Sequence, residues 1–133
     1  MTAAFTFRLD ARSGVPVYRQ IIDQVQAGLA SGTLASGDQL PTVRQVAVDL
    51  EINPNTVLRA YRELEIRGVL DTQQGTGTFI SDRKITQDDA EHERQLDQLV
   101  SEFAARAGAG GFTLIEVIDR LRERSPEPEK RTK

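Results

Sequence analysis

Two apolar stripes of helical period, separated by only three residues, restrict this chain more than any other feature. Val43, Val46, Ala47 and Leu50 fall at i, i+3, i+4 and i+7, and Val57, Ala60, Tyr61 and Leu64 repeat that spacing after Glu51, Ile52 and Asn53. Each segment is therefore a helix with one buried face, and so short a connection makes the pair a helix-turn-helix. The boundaries carry their own signals. Thr42-x-x-Gln45 is a capping box, Asn53 is an N-cap for the second helix, and Pro54 suits its first position. Asn55 and Thr56 then project from the opening turn of that helix, the place from which recognition helices touch base edges. DNA reading is the leading functional expectation.

The flanking sequence completes a small domain. Phe5, Phe7 and Leu9 alternate with Thr6 and Arg8 as a short extended arm, broken by Ser13-Gly14-Val15-Pro16. A helix follows, opened by Pro16, closed by Ser31-Gly32, with the stripe Tyr18, Ile21, Ile22, Val25 and Leu29. Gly32 to Pro41 reads as turns. After the second helix of the pair, Gly68 suits a C′ position, and Val69–Gln73 and Thr78–Ser81 flank Gln74-Gly75-Thr76-Gly77 as a hairpin with a glycine-rich tip. Three helices and a hairpin make a winged helix, so the expected class is α+β.

Beyond Ile85 the pattern is helical again. Thr86 is a candidate cap for a helix with the stripe Leu96, Leu99, Val100, Phe103, Ala104 and Ala107, stopped by Gly108–Gly111. Thr113-x-x-Glu116 is a further capping box, Phe112 and Val117 are a candidate hydrophobic staple, and Leu114, Ile115, Ile118 and Leu121 supply an apolar face. Two short helices cannot bury such stripes against each other alone. The expected partner is the same hairpin from a second chain, forming a bundle about a two-fold axis. The expected layout is a winged helix over 1–85, a dimerisation hairpin over 86–124 and a disordered Pro- and charge-rich tail over 125–133.

Composition sets the limits. With 133 residues and a hydrophobic fraction of 38%, the chain has a core of ordinary size and no room for a large catalytic domain. It has no cysteine, which excludes a disulfide framework and thiolate chemistry, and no apolar run near the ~20 residues of a membrane span. A cytoplasmic protein with no membrane partner is expected. The net charge of -3 is unusual for a nucleic-acid binder. Residues 1–85 hold 9 Arg/Lys against 9 Asp/Glu, and residues 86–133 hold 8 against 11, so the acidity lies in the C-terminal part. Any positive face must come from the placement of Arg44, Arg59, Arg62 and Arg67.

These residues resemble the bacterial GntR-type transcription regulators, and within them the short YtrA-like subfamily. The resemblance is carried by Leu9-Asp10, Ser13-Gly14-x-Pro16-x-Tyr18-x-Gln20-Ile21, Gly37-Asp38-x-Leu40-Pro41-Thr42-Val43-Arg44, Asn53-Pro54-Asn55-Thr56-Val57, Arg59-Ala60-Tyr61-x-Glu63-Leu64-Glu65 and Gly75-x-Gly77-Thr78-Phe79. It implies a repressor that binds an inverted-repeat operator as a homodimer, with no cofactor. By resemblance Arg44, Pro54, Asn55 and Thr56, and the wing tip at Gln74 and Gly75, fall where relatives contact DNA. Only 48 residues follow Ile85, too few for a separate effector domain, which leaves the arrangement of two dimerising helices. A small-molecule effector stays open. Glu51 stands where the family usually has glycine, and in a left-handed conformation it would cost ~1 kcal/mol. Leu58 replaces an arginine that contacts DNA in some longer relatives, so Arg59 or Arg62 is expected to reach the backbone instead.

The same residues have competing uses. Asn55 and Thr56 could serve only as caps, and Arg44, at the third position of its helix, could be a solvated residue, although there it can reach a phosphate or a guanine edge. Tyr61 belongs to the buried stripe and is read as core. Gly75 and Gly77 lack the lysine of a phosphate-binding loop. His92, beside Asp88, Asp89, Glu91 and Glu93, marks an acidic helix start rather than a metal site. No catalytic constellation is present, since the single histidine has no pocket or nucleophile near it in sequence. The competing function is a winged-helix module that contacts proteins without reading DNA.

Overall fold

The computed structural model describes residues 5–82 and 88–124, and the chain divides into two compact units, Met1–Arg83 and Lys84–Lys133. The boundary expected at 85/86, the cap expected at Thr86 and the tail expected to be disordered from 125 all lie outside the described residues.

In the first unit, α1 (Val17–Ser31) starts after Pro16 and ends at Gly32 in a left-handed conformation. It buries Ile21, Ile22 and Val25, with Tyr18 and Leu29 packed partly against the same core. The helix-turn-helix follows as α2 (Val43–Leu50) and α3 (Pro54–Ile66). α2 buries Val46 and Ala47, and α3 buries Val57, Ala60, Tyr61 and Leu64. The three-residue turn works because Glu51 accepts φ 59, ψ 48, the only positive φ outside glycine among the described residues. α3 ends in a Schellman motif, in which the Val69 N–H donates to the Leu64 carbonyl at 2.9 Å and Gly68 supplies the positive φ.

The sheet has one strand more than the sequence pattern predicts. β1 (Gln39–Leu40), inside the stretch read as turns, pairs with β3 (Gly77–Ile80), which pairs in turn with β2 (Leu70–Gln73), all antiparallel in the order β1-β3-β2. The hairpin turn is also one residue shorter than expected. Gly77 belongs to β3 and pairs with Gln73, and the Thr76 N–H closes the turn on the Gln73 carbonyl at 2.9 Å. Gly77 suits its place because its φ of 139 is one that L side chains rarely adopt, and a Cβ there would also displace the Gln39 amide, which donates to the Thr76 carbonyl at 3.2 Å. β1 thus braces the base of the wing through both backbone and side chain.

The N-terminal arm is held by two glutamines of α1 rather than by strand pairing. The Gln24 amide accepts from Arg8 N–H at 2.9 Å and donates to the Arg8 carbonyl at 2.6 Å, as a neighbouring strand would. Gln20 does the same for Asp10 (2.8 and 3.1 Å) and also donates to the Val15 carbonyl at 2.9 Å. With Arg8 and Asp10 paired in this way, the arm lays Phe7 into the core, edge-to-face with Phe5.

In the second unit, α4 (Asp89–Ala109) is capped by Asp88, whose carboxylate accepts from Glu91 N–H at 3.1 Å. The hydrogen bonds from Arg94 and Gln95 hold the Glu91 carboxyl below its ordinary pKa. α5 (Leu114–Arg124) starts with a complete capping box: Thr113 Oγ1 accepts from Glu116 N–H at 3.1 Å, and the Glu116 carboxylate accepts from Thr113 N–H at 2.8 Å. Only Ala107 of this unit is buried among the described residues, whereas Leu99 is 62% and Ile115 72% exposed. The hairpin does not bury its own apolar stripe.

Tyr61 gives the fold a pH limit. Its hydroxyl donates to the Pro41 carbonyl at 2.6 Å inside the core, and burial pushes its pKa well above the usual value. The folded state therefore holds the neutral phenol. This stability is fully present below the unfolded pKa of about 10 and is lost as pH rises beyond it. Tyr61→Phe is expected to cost ~1 kcal/mol at pH 7 and to flatten the fall in melting temperature between about pH 9 and 11, as read by circular dichroism.

Candidate nucleic-acid interface

With Val57, Ala60, Tyr61 and Leu64 committed to the core, helical geometry turns Asn55, Arg59, Arg62 and Ile66 to the opposite face of α3. Asn55, Arg59 and Arg62 line one shallow groove together with Leu58, Glu63 and Ile66. Arg44 lies outside it, exposed near the start of α2, and Gln74 and Gly75 lie exposed at the wing tip. Arg44 is the second residue of its helix, not the third, because Thr42 is the cap and accepts from Gln45 N–H at 3.0 Å. The reciprocal half of that box does not form. The Gln45 amide donates instead to Asp49 at 2.8 Å.

At the start of α3, Asn53 does the capping. Its side chain accepts from Asn55 N–H at 2.7 Å, and its carbonyl accepts from Thr56 N–H at 3.0 Å. The Asn55 side chain stays exposed, and no hydrogen bond of the Asn55 or Thr56 side chain occurs among the described residues. Neither α2 nor α3 carries an acidic residue in its first turn, so both helix N-termini keep the partial positive charge that favours an anion.

The four arginines that the sequence groups together are divided by the structure. Arg67 caps the C-terminal end of α3 and pairs with Glu63 at 3.2 Å, so it does not join the others. Arg44 and Arg62 are exposed and form no ion pair among the described residues. The Arg59 guanidinium lies over the Tyr18 ring, its Cζ 3.7 Å from the centroid. No sequence pattern signals that contact, which joins residues on two helices far apart in the chain. The nearby acids are occupied as well: Glu63 by Arg67, Glu65 by the Thr72 hydroxyl, and Asp49 by Gln45. Of the acids on α2 and α3, Asp49, Glu63 and Glu65 thus bond internally, whereas Arg44 and Arg62 stay exposed.

The residues expected to dimerise form a second surface. Leu96, Leu99, Val100 and Phe103 of α4 and Leu114, Ile115, Ile118 and Leu121 of α5 are all exposed. No helix among the described residues is long and apolar enough to cross a membrane.

Comparison with known proteins is consistent across sequence and structure. Residues 17–80 match the model of the bacterial regulatory proteins of the gntR family. The chain is 44% identical over 79 residues to the HTH-type transcriptional repressor YtrA of Bacillus subtilis, an alignment that covers 59% of this chain and 61% of that relative. It is 32% identical over 111 residues to the HTH-type transcriptional regulator YhcF of the same organism, covering 84% of this chain and 91% of YhcF. Among solved structures, a transcriptional antiterminator from Listeria monocytogenes superposes with a TM-score of 0.63 at 26% identity, over 91% of this chain and 90% of that one. YtrA from Sulfolobus acidocaldarius, a GntR-family transcription factor, superposes with a TM-score of 0.56 at 28% identity, over 76% and 99% of the two chains.

Proposed function

The chain belongs to the GntR family of bacterial transcription regulators, in its YtrA-type branch, and on that basis we propose that it is a repressor that binds an inverted-repeat operator as a homodimer. The observation that carries this reading is the outer face of α3, where Asn55, Arg59 and Arg62 share one groove and no carboxylate pairs with either arginine among the described residues. In this reading α3 enters the major groove with its N-terminal turn toward the bases, where the Asn55 amide can pair with an adenine edge. Arg44 and the acid-free N-terminus of α2 take phosphates, and the wing tip at Gln74 and Gly75 follows the adjacent backbone.

The homodimer rests on the second unit. An exposed stripe of eight large apolar side chains over two helices is what an obligate interface leaves when one partner is removed. A two-fold axis through that interface places two α3 helices against one duplex and makes binding bivalent.

Two sets of variants test the proposal. On a duplex obtained by in vitro selection, Arg44→Ala and Thr56→Ala are each expected to cost roughly 1–3 kcal/mol of binding with little change in melting temperature. Unchanged affinity in either folded variant would return that residue to a solvated role. Leu99→Asp combined with Ile118→Asp alters side chains that are already exposed, so folding should persist. Sedimentation should then show a monomer, with palindrome affinity lower by about 10²-fold or more. A dimer that survives both charges would refute this role of α4 and α5.

A further inference from the structure

From the Tyr18–Arg59 contact we infer that Tyr18, at the start of α1, is a positioning residue for DNA binding: its ring fixes the Arg59 guanidinium in the orientation that takes a backbone phosphate. The inference rests on the DNA reading above and goes beyond it, because Tyr18 itself touches no nucleic acid in this arrangement.

Three features of the pair support it. First, the Tyr18 platform is rigid, since the ring is partly buried and packs against the core cluster. Second, a guanidinium carbon 3.7 Å from the ring centroid lies within the range of a cation–π contact, which holds the cation through the ring face without using an N–H donor in a hydrogen bond. Third, Arg59 donates no hydrogen bond and joins no ion pair among the described residues, so its N–H donors are unspent. The planar fork of an arginine matches a phosphate in two-point geometry, and a fork already immobilised loses less side-chain freedom when it binds. Arg62, one turn further along the same face, has no such support among the described residues, so the two arginines of the groove differ in rigidity.

The test is a fluorescence-anisotropy titration of the full chain on the selected duplex over a salt series, with Tyr18→Leu, Tyr18→Phe, Arg59→Ala and the double variant Tyr18→Leu/Arg59→Ala. Tyr18→Phe keeps the ring and should bind as the wild type does. Tyr18→Leu should weaken binding about two- to tenfold, the worth of holding one long side chain still, with the salt slope unchanged because Arg59 still reaches its phosphate. Arg59→Ala should weaken binding and lower the slope by about 0.9 for each phosphate that is no longer neutralised. The double variant should be no weaker than Arg59→Ala alone. A Tyr18→Leu weakening that persists in the Arg59→Ala background marks a general effect on the fold and overturns the inference. So does Tyr18→Leu binding as tightly as the wild type or more tightly, or Tyr18→Phe binding as weakly as Tyr18→Leu. Wild-type protein that binds no duplex is a separate outcome, which overturns the DNA reading and this inference together.

Discussion

What α3 offers outward is fixed by what it buries inward. Val57, Ala60 and Leu64 are fully inaccessible and pack in one cluster with Ile21, Ile22 and Val25 of α1. Each large aliphatic side chain in such a cluster contributes on the order of 1.5–3 kcal/mol, and the side chains interlock tightly enough to leave one rotational setting for the helix. Tyr61 ties the same face to the Pro41 carbonyl, immediately ahead of α2, so the two helices of the motif share an anchor. Turning α3 by one residue in one sense would put Arg62 toward the core, and in the other sense Arg59 and Glu63 toward the core with Tyr61 in solvent. The groove on its outer face exists because that alternative is excluded.

Electrostatics follow from the same geometry. Composition gives the N-terminal part equal numbers of acids and bases, which taken alone argues against a nucleic-acid surface. The fold ties up three of the acids. Glu63 and Arg67 cancel at the far end of α3, Glu65 bonds the β2 hydroxyl of Thr72, and Asp38 accepts from Ala35 N–H at 2.9 Å to close the loop before β1. Arg44 and Arg62 stay clear of carboxylate partners among the described residues, and the N-termini of α2 and α3 are free of acids. What matters for a polyanion is the local field at the helix ends rather than the sum over the chain.

The sequence is informative where the deciding interactions are local. The stripes of α1, α2 and α3, the caps at Thr42 and Asn53, the Gly68 terminus and the left-handed Glu51 each depend on residues close along the chain, and all are found where the pattern puts them. Where the decision is made between distant segments, the pattern is silent. β1 is two residues long and exists only because β3 offers an edge to Gln39 and Leu40. The arm is held by side-chain amides of Gln20 and Gln24, which no periodicity reveals. Within the candidate site, Arg44, Asn55 and Arg62 are legible as outward polar positions, but the stacking of Arg59 on Tyr18 and the pairing of Arg67 with Glu63 require the packed structure.

In the proposed assembly, two copies of this chain, joined through the apolar faces of α4 and α5, read one duplex with two-fold symmetry. Hydroxyl-radical footprinting of the full chain on the selected duplex distinguishes this assembly from its alternatives. Such an assembly requires two protected patches on each strand, related by a dyad and with half-site centres about one helical turn, ~34–36 Å, apart. A single protected patch without dyad symmetry would contradict the two-fold assembly, and no protection at any concentration that saturates a salt-sensitive binding curve would contradict DNA reading by α3.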